Sequence, residues 1–258
     1  MAEKGWRFAT PDEKLPGDNV TPDPLHPDFT HLRHIYFEQN PEYNGRFTVP
    51  TLYDKKQNKI VSNESSEIIR MLYHVFDDII PEKYAKIDLL PKDLEKDIDA
   101  TNEWTYNDIN NGVYKSGFAT TQDAYENAVK QLFTSLDRAE SHLSSSGPYY
   151  FGSQLTEADV RLYTTIVRFD VVYVQHFKCN WKDIRSGYPA LHKWLRNLYW
   201  NHDAFKDTTQ FEHIKKHYTV SHKQINPHGI VPVGPEKDIL GLDEEVPAVK
   251  AALEAAGK

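Results

Sequence analysis

The signal for β-structure in this sequence is confined to one short stretch, which limits the folds open to the chain. Residues 47–53 (FTVPTLY) and 59–62 (KIVS) are rich in β-branched and aromatic side chains and flank a polar turn, which predicts a β-hairpin. Farther along, the sequence carries four or five long patterns of helical period and no comparable strand segment. We therefore predict an α+β chain, with a mixed region at residues 1–80 and an all-helical domain at residues 81–258.

Apolar residues at helical spacing place the other elements around this hairpin. Residues 29–37 predict a short helix after a proline-rich, irregular arm at residues 1–30. Ile68 to Phe76 predict an amphipathic helix directly after the hairpin. The later helices are expected at 94–118, 121–143, 156–177, 189–199 and 209–218, followed by a Pro/Gly-rich tail at 226–241 and a last helix at 245–256.

The composition excludes several classes of protein. The sequence has no run of about 18 apolar residues and no apolar stretch of a secretory signal, so we expect no membrane partner and no secretion. The formal net charge of −8, without a long Lys/Arg block, argues against a nucleic-acid partner. Cys179 is the only cysteine, which excludes an internal disulfide. We expect a cytoplasmic protein, with the mitochondrial matrix as the alternative.

Two histidines of the last predicted long helix have the spacing of a metal site. His213 and His217 stand at i and i+4, with His222 nearby. The glutamate of a His-Glu-x-x-His zinc motif is missing, however. We therefore interpret this segment as a solvated helical face and expect no metal.

Two motifs beside the hairpin have residue types that can bind a peptide-like ligand. A cis peptide at Val49-Pro50 would expose the Val49 backbone to an added extended peptide, although the rarity of cis bonds favours an ordinary trans proline. Glu64-Ser65-Ser66 opens a helix whose N–H groups attract a carboxylate, and Glu64 can accept from an ammonium group. Both charges of an α-amino acid would be held there, whereas plain helix capping is the simpler interpretation.

A further motif, Leu155-Thr156-Glu157-Ala158-Asp159, predicts a capping box in which Asp159 reaches back to Thr156. With the motifs above it completes a resemblance to the xi-class glutathione transferases, the glutathionyl-hydroquinone reductases, over nearly the whole chain. The carrying stretches are 5–8 (GWRF), 45–50 (GRFTVP), 63–70 (NESSEIIR), 110–118 (NNGVYKSGF), 168–170 (RFD), 176–180 (HFKCN), 194–199 (WLRNLY) and 218–227. The resemblance implies a thioredoxin-like N-terminal domain, incomplete here, followed by an all-α glutathione-transferase C-terminal domain.

The resemblance also implies glutathione as co-substrate and a set of site residues. Trp6 would lie against the tripeptide, Arg46 would offer a cation to a carboxylate, and Val49-Pro50 would pair with the cysteinyl unit. Glu64 and Ser65 would hold the γ-glutamyl end. Quinone-derived small molecules would bind in the helical domain, where Tyr114 is the first choice of phenol donor and Tyr218 and Tyr173 follow, although most tyrosines simply pack.

The family's nucleophile, a cysteine in a Cys-Pro-Trp-Ala turn, has no counterpart in this sequence. In the family its thiolate attacks the sulfur of a glutathionyl-hydroquinone, and a second glutathione then releases oxidised glutathione. Cys179 matches the family's Phe-Lys-Cys-Asn segment instead, where a small buried residue is expected. We therefore expect an N-terminally truncated chain that is inactive as it stands; a non-catalytic binding or interaction domain is the alternative.

The same resemblance implies that the strand pairing with Val49-Pro50 is missing. A lone two-stranded hairpin is marginal in water and leaves an open edge. We therefore expect residues 1–80 to be the less stable half, with fast amide exchange at Thr48–Leu52. Because the proteins that the chain resembles usually dimerise, the resemblance also implies a homodimer.

Overall fold

The computed structural model describes residues 5–10, 12–13, 23–247 and 254–255. By its internal contacts the chain divides into residues 1–87 and residues 88–258, and each unit is described by itself. Most of the helix expected at 245–256 and much of the arm at 1–30 lie outside the described residues. No helix in the described ranges has both the length and the apolar character needed to cross a membrane.

The first unit combines one hairpin with short helices, as the sequence predicts. Strands β1 (Leu52–Asp54) and β2 (Lys59–Ser62) pair antiparallel, with Tyr53 opposite Ile60 and a register shift beside Leu52. The carboxylate of Asp54 accepts hydrogen bonds from the turn amides of Lys56 and Gln57 at 2.8 and 2.9 Å, which closes the connection. The elements are α1 (Arg33–Gln39), β1 (Leu52–Asp54), β2 (Lys59–Ser62), α2 (Ser65–His74), a 3₁₀ turn (Asp77–Ile79) and α3 (Glu82–Ala85).

The predicted strand at 47–53 is wrong over its first half. Only Leu52–Asp54 pairs with β2, and the stretch before it is held through Thr48. The Thr48 carbonyl accepts from the Tyr36 hydroxyl at 2.8 Å and from the Thr51 hydroxyl at 3.0 Å. The Val49–Pro50 peptide is cis, so the local preference for a trans bond is also wrong.

The core of this unit is small. Its central cluster of buried apolar side chains consists of Ile35 and Tyr36 on α1 and of Leu32, the N-cap residue of that helix. Six partly buried rings and side chains pack against them: Phe8, Phe29, Tyr43, Phe47, Tyr53 and Ile60. Within the described residues, the hairpin therefore packs on α1 and α2 rather than on a third strand.

The second unit is helical throughout its described elements. It contains α4 (Glu95–Trp104), a π-helical segment (Thr105–Asn110), α5 (Gly112–Gly117), α6 (Gln122–Ser146), α7 (Glu157–Arg168), a second π-helical segment (Phe169–Tyr173), α8 (Val174–His176), α9 (Ile184–Gly187), α10 (Pro189–Asn201), α11 (Asp203–Thr208) and α12 (Phe211–Ser221). Together with the hairpin unit, these elements confirm the α+β class. The tail at 226–241 contains no helix or strand, as expected.

Helix α6 forms the centre of this unit. Its 25 residues begin at the N-cap Thr121, whose hydroxyl accepts from the Ala124 amide. One face, bearing Leu132, Phe133 and Leu136, is buried against α5 and α10. This face repeats every three or four residues, which is the pattern that identified the helix in the sequence.

The predicted capping box at Thr156 is present and is part of a larger buried cluster. One oxygen of Asp159 accepts from the Thr156 amide and hydroxyl at 3.0 and 3.1 Å. The other accepts from the Tyr150 amide and the Trp194 indole N–H, both at 2.8 Å. Burial raises the pKa of Asp159, while these hydrogen bonds act against the rise. The aspartate thus joins the start of α7, the preceding loop and α10.

Two predicted helices are interrupted where the sequence suggests continuity. The pattern over 94–118 contains the π segment Thr105–Asn110, and the pattern over 156–177 contains Phe169–Tyr173. A π turn adds a residue to the helical turn and rotates the side chains that follow it. Such turns are frequent at functional sites.

The sparse core of the first unit predicts unequal protection from amide hydrogen exchange. The amides of Thr48, Val49 and Thr51 have no backbone acceptor within the described residues, so we expect them to exchange fastest in native protein. The buried face of α6, at Leu132 and Leu136, should exchange slowest, by a factor of at least ~100. Hydrogen-exchange mass spectrometry measures both; equal protection of the two segments would contradict this.

Asp159→Asn should destabilise the helical unit strongly, because an amide NH₂ then faces two buried donors in place of an acceptor. We expect a loss of about 3 kcal/mol in the free energy of unfolding. Asp123→Asn, an exposed change in the first turn of α6, is the matched control and should cost less than about 0.5 kcal/mol. Urea unfolding followed by circular dichroism measures both, and an Asp159→Asn effect no larger than the control's would refute the assignment.

Candidate functional site

Three tyrosine hydroxyls from three helical segments meet in the second unit. The hydroxyl oxygens of Tyr114 and Tyr218 are 2.6 Å apart, and those of Tyr173 and Tyr218 are 2.9 Å apart. Tyr114 belongs to α5, Tyr173 ends the second π segment and Tyr218 lies on α12. The structure therefore brings together the three tyrosines that the resemblance nominates as phenol donors. We call this group the phenol cluster.

The members of the phenol cluster differ in their access to solvent. Tyr173 is 1% exposed and Tyr218 is 6% exposed, whereas Tyr114 is 37% exposed. Burial raises the pKa of Tyr218 above its usual value and raises that of Tyr173 well above it. These shifts only reinforce the neutral state that a phenol already has at pH 7. Tyr114 is the member that a ligand can reach.

Aromatic rings line the phenol cluster. Phe177 is fully buried, with its ring centroid 5.2 Å from that of Tyr114 and 5.4 Å from that of Tyr173. Phe118, 40% exposed, stacks beside Tyr114 at 6.4 Å. A Cβ atom on Gly117 would lie 2.0 Å from Phe177, so the glycine is what lets this ring pack so close to α5. A flat aromatic ligand would match such a surface.

A histidine pair borders the same rings. His176 Nε2 lies 3.1 Å from His222 Nδ1, and the two imidazoles are nearly parallel. Burial lowers the pKa of His176 to about 4, so this ring is neutral at pH 7. The His222 ring also packs edge-on against Phe118 and Tyr218.

The structure shows where the two histidines with the spacing of a zinc site lie. His213 and His217 are exposed on α12, as expected of a solvated face. In the part of the chain that is described, no three His, Cys, Asp or Glu side chains are grouped to hold a metal ion.

Cys179 is unsuited to nucleophilic chemistry. Its side chain is fully buried, and burial raises the pKa of the thiol to about 12. The Sγ atom lies 3.8 Å from the Phe177 carbonyl oxygen, the weak contact of a thiol that packs as a small apolar group.

In the first unit, the start of α2 presents the groups proposed for the γ-glutamyl end. Glu64 is the N-cap residue, but its side chain makes no capping hydrogen bond, so the capping interpretation is wrong for this residue. The Glu64 and Ser65 side chains are both exposed. Within the described residues, the amides of Ser65 and Ser66 have no acceptor, which leaves two N–H groups for an anion.

Val49 and Pro50 are brought close to this helix start. The side-chain amide of Asn63 donates to the Thr48 hydroxyl at 3.0 Å, which ties the residues just before each motif to one another. Val49 is 50% exposed, and β1 begins only at Leu52. An extended peptide therefore has access to the Val49 backbone.

The described contacts join Trp6 and Arg46 to other parts of this unit. The Trp6 carbonyl accepts from the Leu32 amide at 3.0 Å, and the indole is 43% exposed. The Arg46 carbonyl accepts from the Tyr43 hydroxyl at 3.0 Å, and its side chain is exposed. No contact of either residue with Val49 or Glu64 occurs among those described.

The sequence reasoning missed the residues that surround the phenol cluster. Phe118, Phe177, His176 and His222 contact its tyrosines but were not nominated. All four lie in stretches that carried the family resemblance, and this shared location was the signal that could have found them.

The chain is similar in sequence to several known proteins. A family model for the glutathione S-transferase C-terminal domain matches residues 122–197. The chain is 53% identical over 237 residues to the glutathione S-transferase omega-like 2 of Schizosaccharomyces pombe, covering 91% of this chain and 74% of that protein. It is 48% identical over 240 residues to the glutathionyl-hydroquinone reductase YqjG of Escherichia coli, covering 93% and 69%.

A solved structure supports the same assignment. The xi glutathione transferase ECM4 of Saccharomyces cerevisiae, crystallised in complex with glutathione, is 44% identical; the match covers 94% of this chain and 83% of that one, with a TM-score of 0.87. The chain spans 64 to 74% of the length of five curated relatives. From this likeness in both sequence and fold, the chain belongs to the xi-class glutathione transferase family.

Proposed function

We propose that this protein acts in the glutathione-dependent reduction of glutathionyl-hydroquinones, and that the chain supplies the groups that bind glutathione and the hydroquinone ring. The observation that carries the proposal is the phenol cluster, in which the Tyr218 hydroxyl lies 2.6 Å from that of Tyr114 and 2.9 Å from that of Tyr173, beside aromatic walls. Phenol donors hydrogen-bond the oxygens of a hydroquinone, and rings of Phe118 and Phe177 pack on its faces.

The ring-binding site would act by holding a neutral aromatic ligand. Tyr114 offers a hydroxyl at the exposed side of the cluster. Tyr173, Tyr218 and His176 are all neutral at pH 7. These groups therefore repel an anionic ligand less than a carboxylate would, and they provide no cation to attract one. These properties fit an uncharged hydroquinone oxygen that accepts a hydrogen bond.

Glutathione would bind in the first unit through its backbone and its γ-glutamyl end. The open Ser65 and Ser66 amides and the Ser65 hydroxyl would receive the α-carboxylate, and the Glu64 carboxylate would accept from the ammonium group. The exposed Val49 backbone would pair with the cysteinyl unit. Trp6 would cover the tripeptide and Arg46 would offer its guanidinium to a carboxylate.

The thiolate of the reaction is not supplied by Cys179. Attack on the sulfur of the conjugate would form an enzyme–glutathione disulfide, and the hydroquinone carbon would take up a proton as it leaves; a second glutathione thiolate would then release glutathione disulfide. At pH 8 a thiol with a pKa of about 12 is ionised in about one molecule in ten thousand, and Cys179 has no exposed surface. The 258-residue chain alone should therefore bind without turning over.

Glu64→Gln and Ser65→Ala should each weaken glutathione binding about ten-fold, because each removes one charge-assisted or hydroxyl contact with the γ-glutamyl end. Isothermal titration of the 258-residue chain with glutathione measures the dissociation constants. Glu82→Gln, a change of another exposed carboxylate in this unit that pairs with Lys86, is the matched control and should leave affinity unchanged. Equal affinities for all four proteins would disprove the proposed glutathione site.

The native Cys179 thiol should resist 5,5′-dithiobis(2-nitrobenzoate) at pH 8 at least ~1,000-fold longer than the thiol of the urea-unfolded chain, because it is buried and un-ionised. Absorbance of the released thionitrobenzoate measures both rates. Cys179→Ser should leave binding of glutathione unchanged. Formation of glutathione disulfide from an S-glutathionyl-hydroquinone by the wild-type chain, and its loss in Cys179→Ser, would overturn this part of the proposal.

A further inference from the structure

The phenol cluster contains more protons than hydrogen bonds. Three hydroxyls supply three protons, but only two oxygen–oxygen contacts, at 2.6 and 2.9 Å, join them. Tyr218 is the central member and can donate only one proton. One of the three O–H groups must therefore point away from the cluster, and the environment decides which one.

Three arrangements satisfy both contacts. In the first, Tyr173 donates to Tyr218 and Tyr218 donates to Tyr114, so the Tyr114 proton is left over, with no acceptor within the cluster. In the second the direction is reversed, and the Tyr173 proton is left over. In the third, Tyr218 accepts from both neighbours and its own proton is left over.

Burial separates these arrangements. Tyr173 is 1% exposed and Tyr218 is 6% exposed, and within the described residues neither hydroxyl has another hydrogen-bond partner. A proton left over on either would be a buried donor without an acceptor, which is the costly state. Tyr114 is 37% exposed, so its leftover proton can be satisfied by water or by a ligand.

We propose that Tyr173 is a positioning residue that fixes the direction of this chain of hydroxyls, so that Tyr114 always presents its O–H outward as a donor. Tyr173 donates to Tyr218 and Tyr218 donates to Tyr114. Because a hydroxyl that accepts a hydrogen bond becomes a stronger donor, the two buried phenols also strengthen the Tyr114 hydrogen bond to a ligand oxygen. Neither buried phenol needs to touch the ligand.

The direction can be measured without any ligand. In protein labelled with ¹³C at the tyrosine ζ carbon, slowly exchanging hydroxyls give resolved isotope shifts in mixed H₂O and D₂O. The proposal requires slow exchange at Tyr173 and Tyr218 and fast, solvent-like exchange at Tyr114, with Tyr→Phe variants giving the assignments. A Tyr114 hydroxyl that is protected from exchange would overturn it.

A double-mutant cycle tests the consequence for binding, and this part rests on the proposed function. The probe is the S-glutathionyl conjugate of 1,4-benzohydroquinone. Tyr114→Phe should weaken its binding about ten-fold through loss of the donor. Tyr173→Phe should weaken it only about two- to three-fold, because Tyr114 then donates to Tyr218 for part of the time.

The double variant gives the decisive readout. If Tyr173 acts only through Tyr114, Tyr114→Phe/Tyr173→Phe binds no more weakly than Tyr114→Phe alone. Additive losses would mean that Tyr173 acts through packing, which overturns the proposal. Tyr163→Phe, which removes another buried hydroxyl of the same unit, bonded to Thr209 at 2.9 Å, is the control and should leave affinity unchanged.

Failure of the two proposals is distinguishable. A wild-type chain that does not bind the conjugate refutes the proposed function, while the hydroxyl exchange measurement still decides the direction. A wild-type chain that binds the conjugate but shows no coupling between Tyr114 and Tyr173 refutes the directed chain alone.

Discussion

The helical unit depends on one buried carboxylate. Asp159 receives four hydrogen bonds from the start of its own helix, the preceding loop and the indole of Trp194. Without these donors a carboxylate at 0% exposure would be prohibitively costly, and without the carboxylate four buried donors would be unsatisfied. Each requirement enforces the other, so the origin and direction of α7 are fixed, and with them the π segment that ends at Tyr173.

The two units are stabilised to very different extents by apolar burial. Among the described residues, the first has one cluster of three buried side chains and the separate buried Ile68, whereas the second buries successive faces of α5, α6, α7 and α10 in one continuous cluster. Polar ties compensate in part: the Tyr36 hydroxyl and the Asn63 amide both bind Thr48 and hold the segment that β-pairing leaves unattached. The glutathione-binding groups that we propose therefore lie on the more weakly supported of the two units.

Periodicity alone predicted most of the helices, and the hairpin turn and β2, because these depend on local spacing and local turn chemistry. It failed at residues 47–51 and at both π segments. Strand propensity does not report whether a pairing partner is present, and a π turn arises from packing against other helices rather than from a local pattern. The tyrosines of the phenol cluster came from the family resemblance. Their hydrogen bonds join residues more than forty positions apart, which no local pattern encodes.

Tyrosine side chains allow a site to bind an aromatic ring without using a charged group. Lysine or arginine at these positions would attract anions of many kinds, and burial would disfavour their charged form. Phenols are neutral at pH 7 in any case, and burial raises the pKa of Tyr173 and Tyr218 further. Burial lowers the pKa of His176 to about 4, so this imidazole is neutral as well. A neutral donor between aromatic walls discriminates by shape and by the position of an acceptor oxygen. In the site that we propose, selectivity would come from the buried hydroxyls that hold the exposed one in its direction, without contact with the ligand.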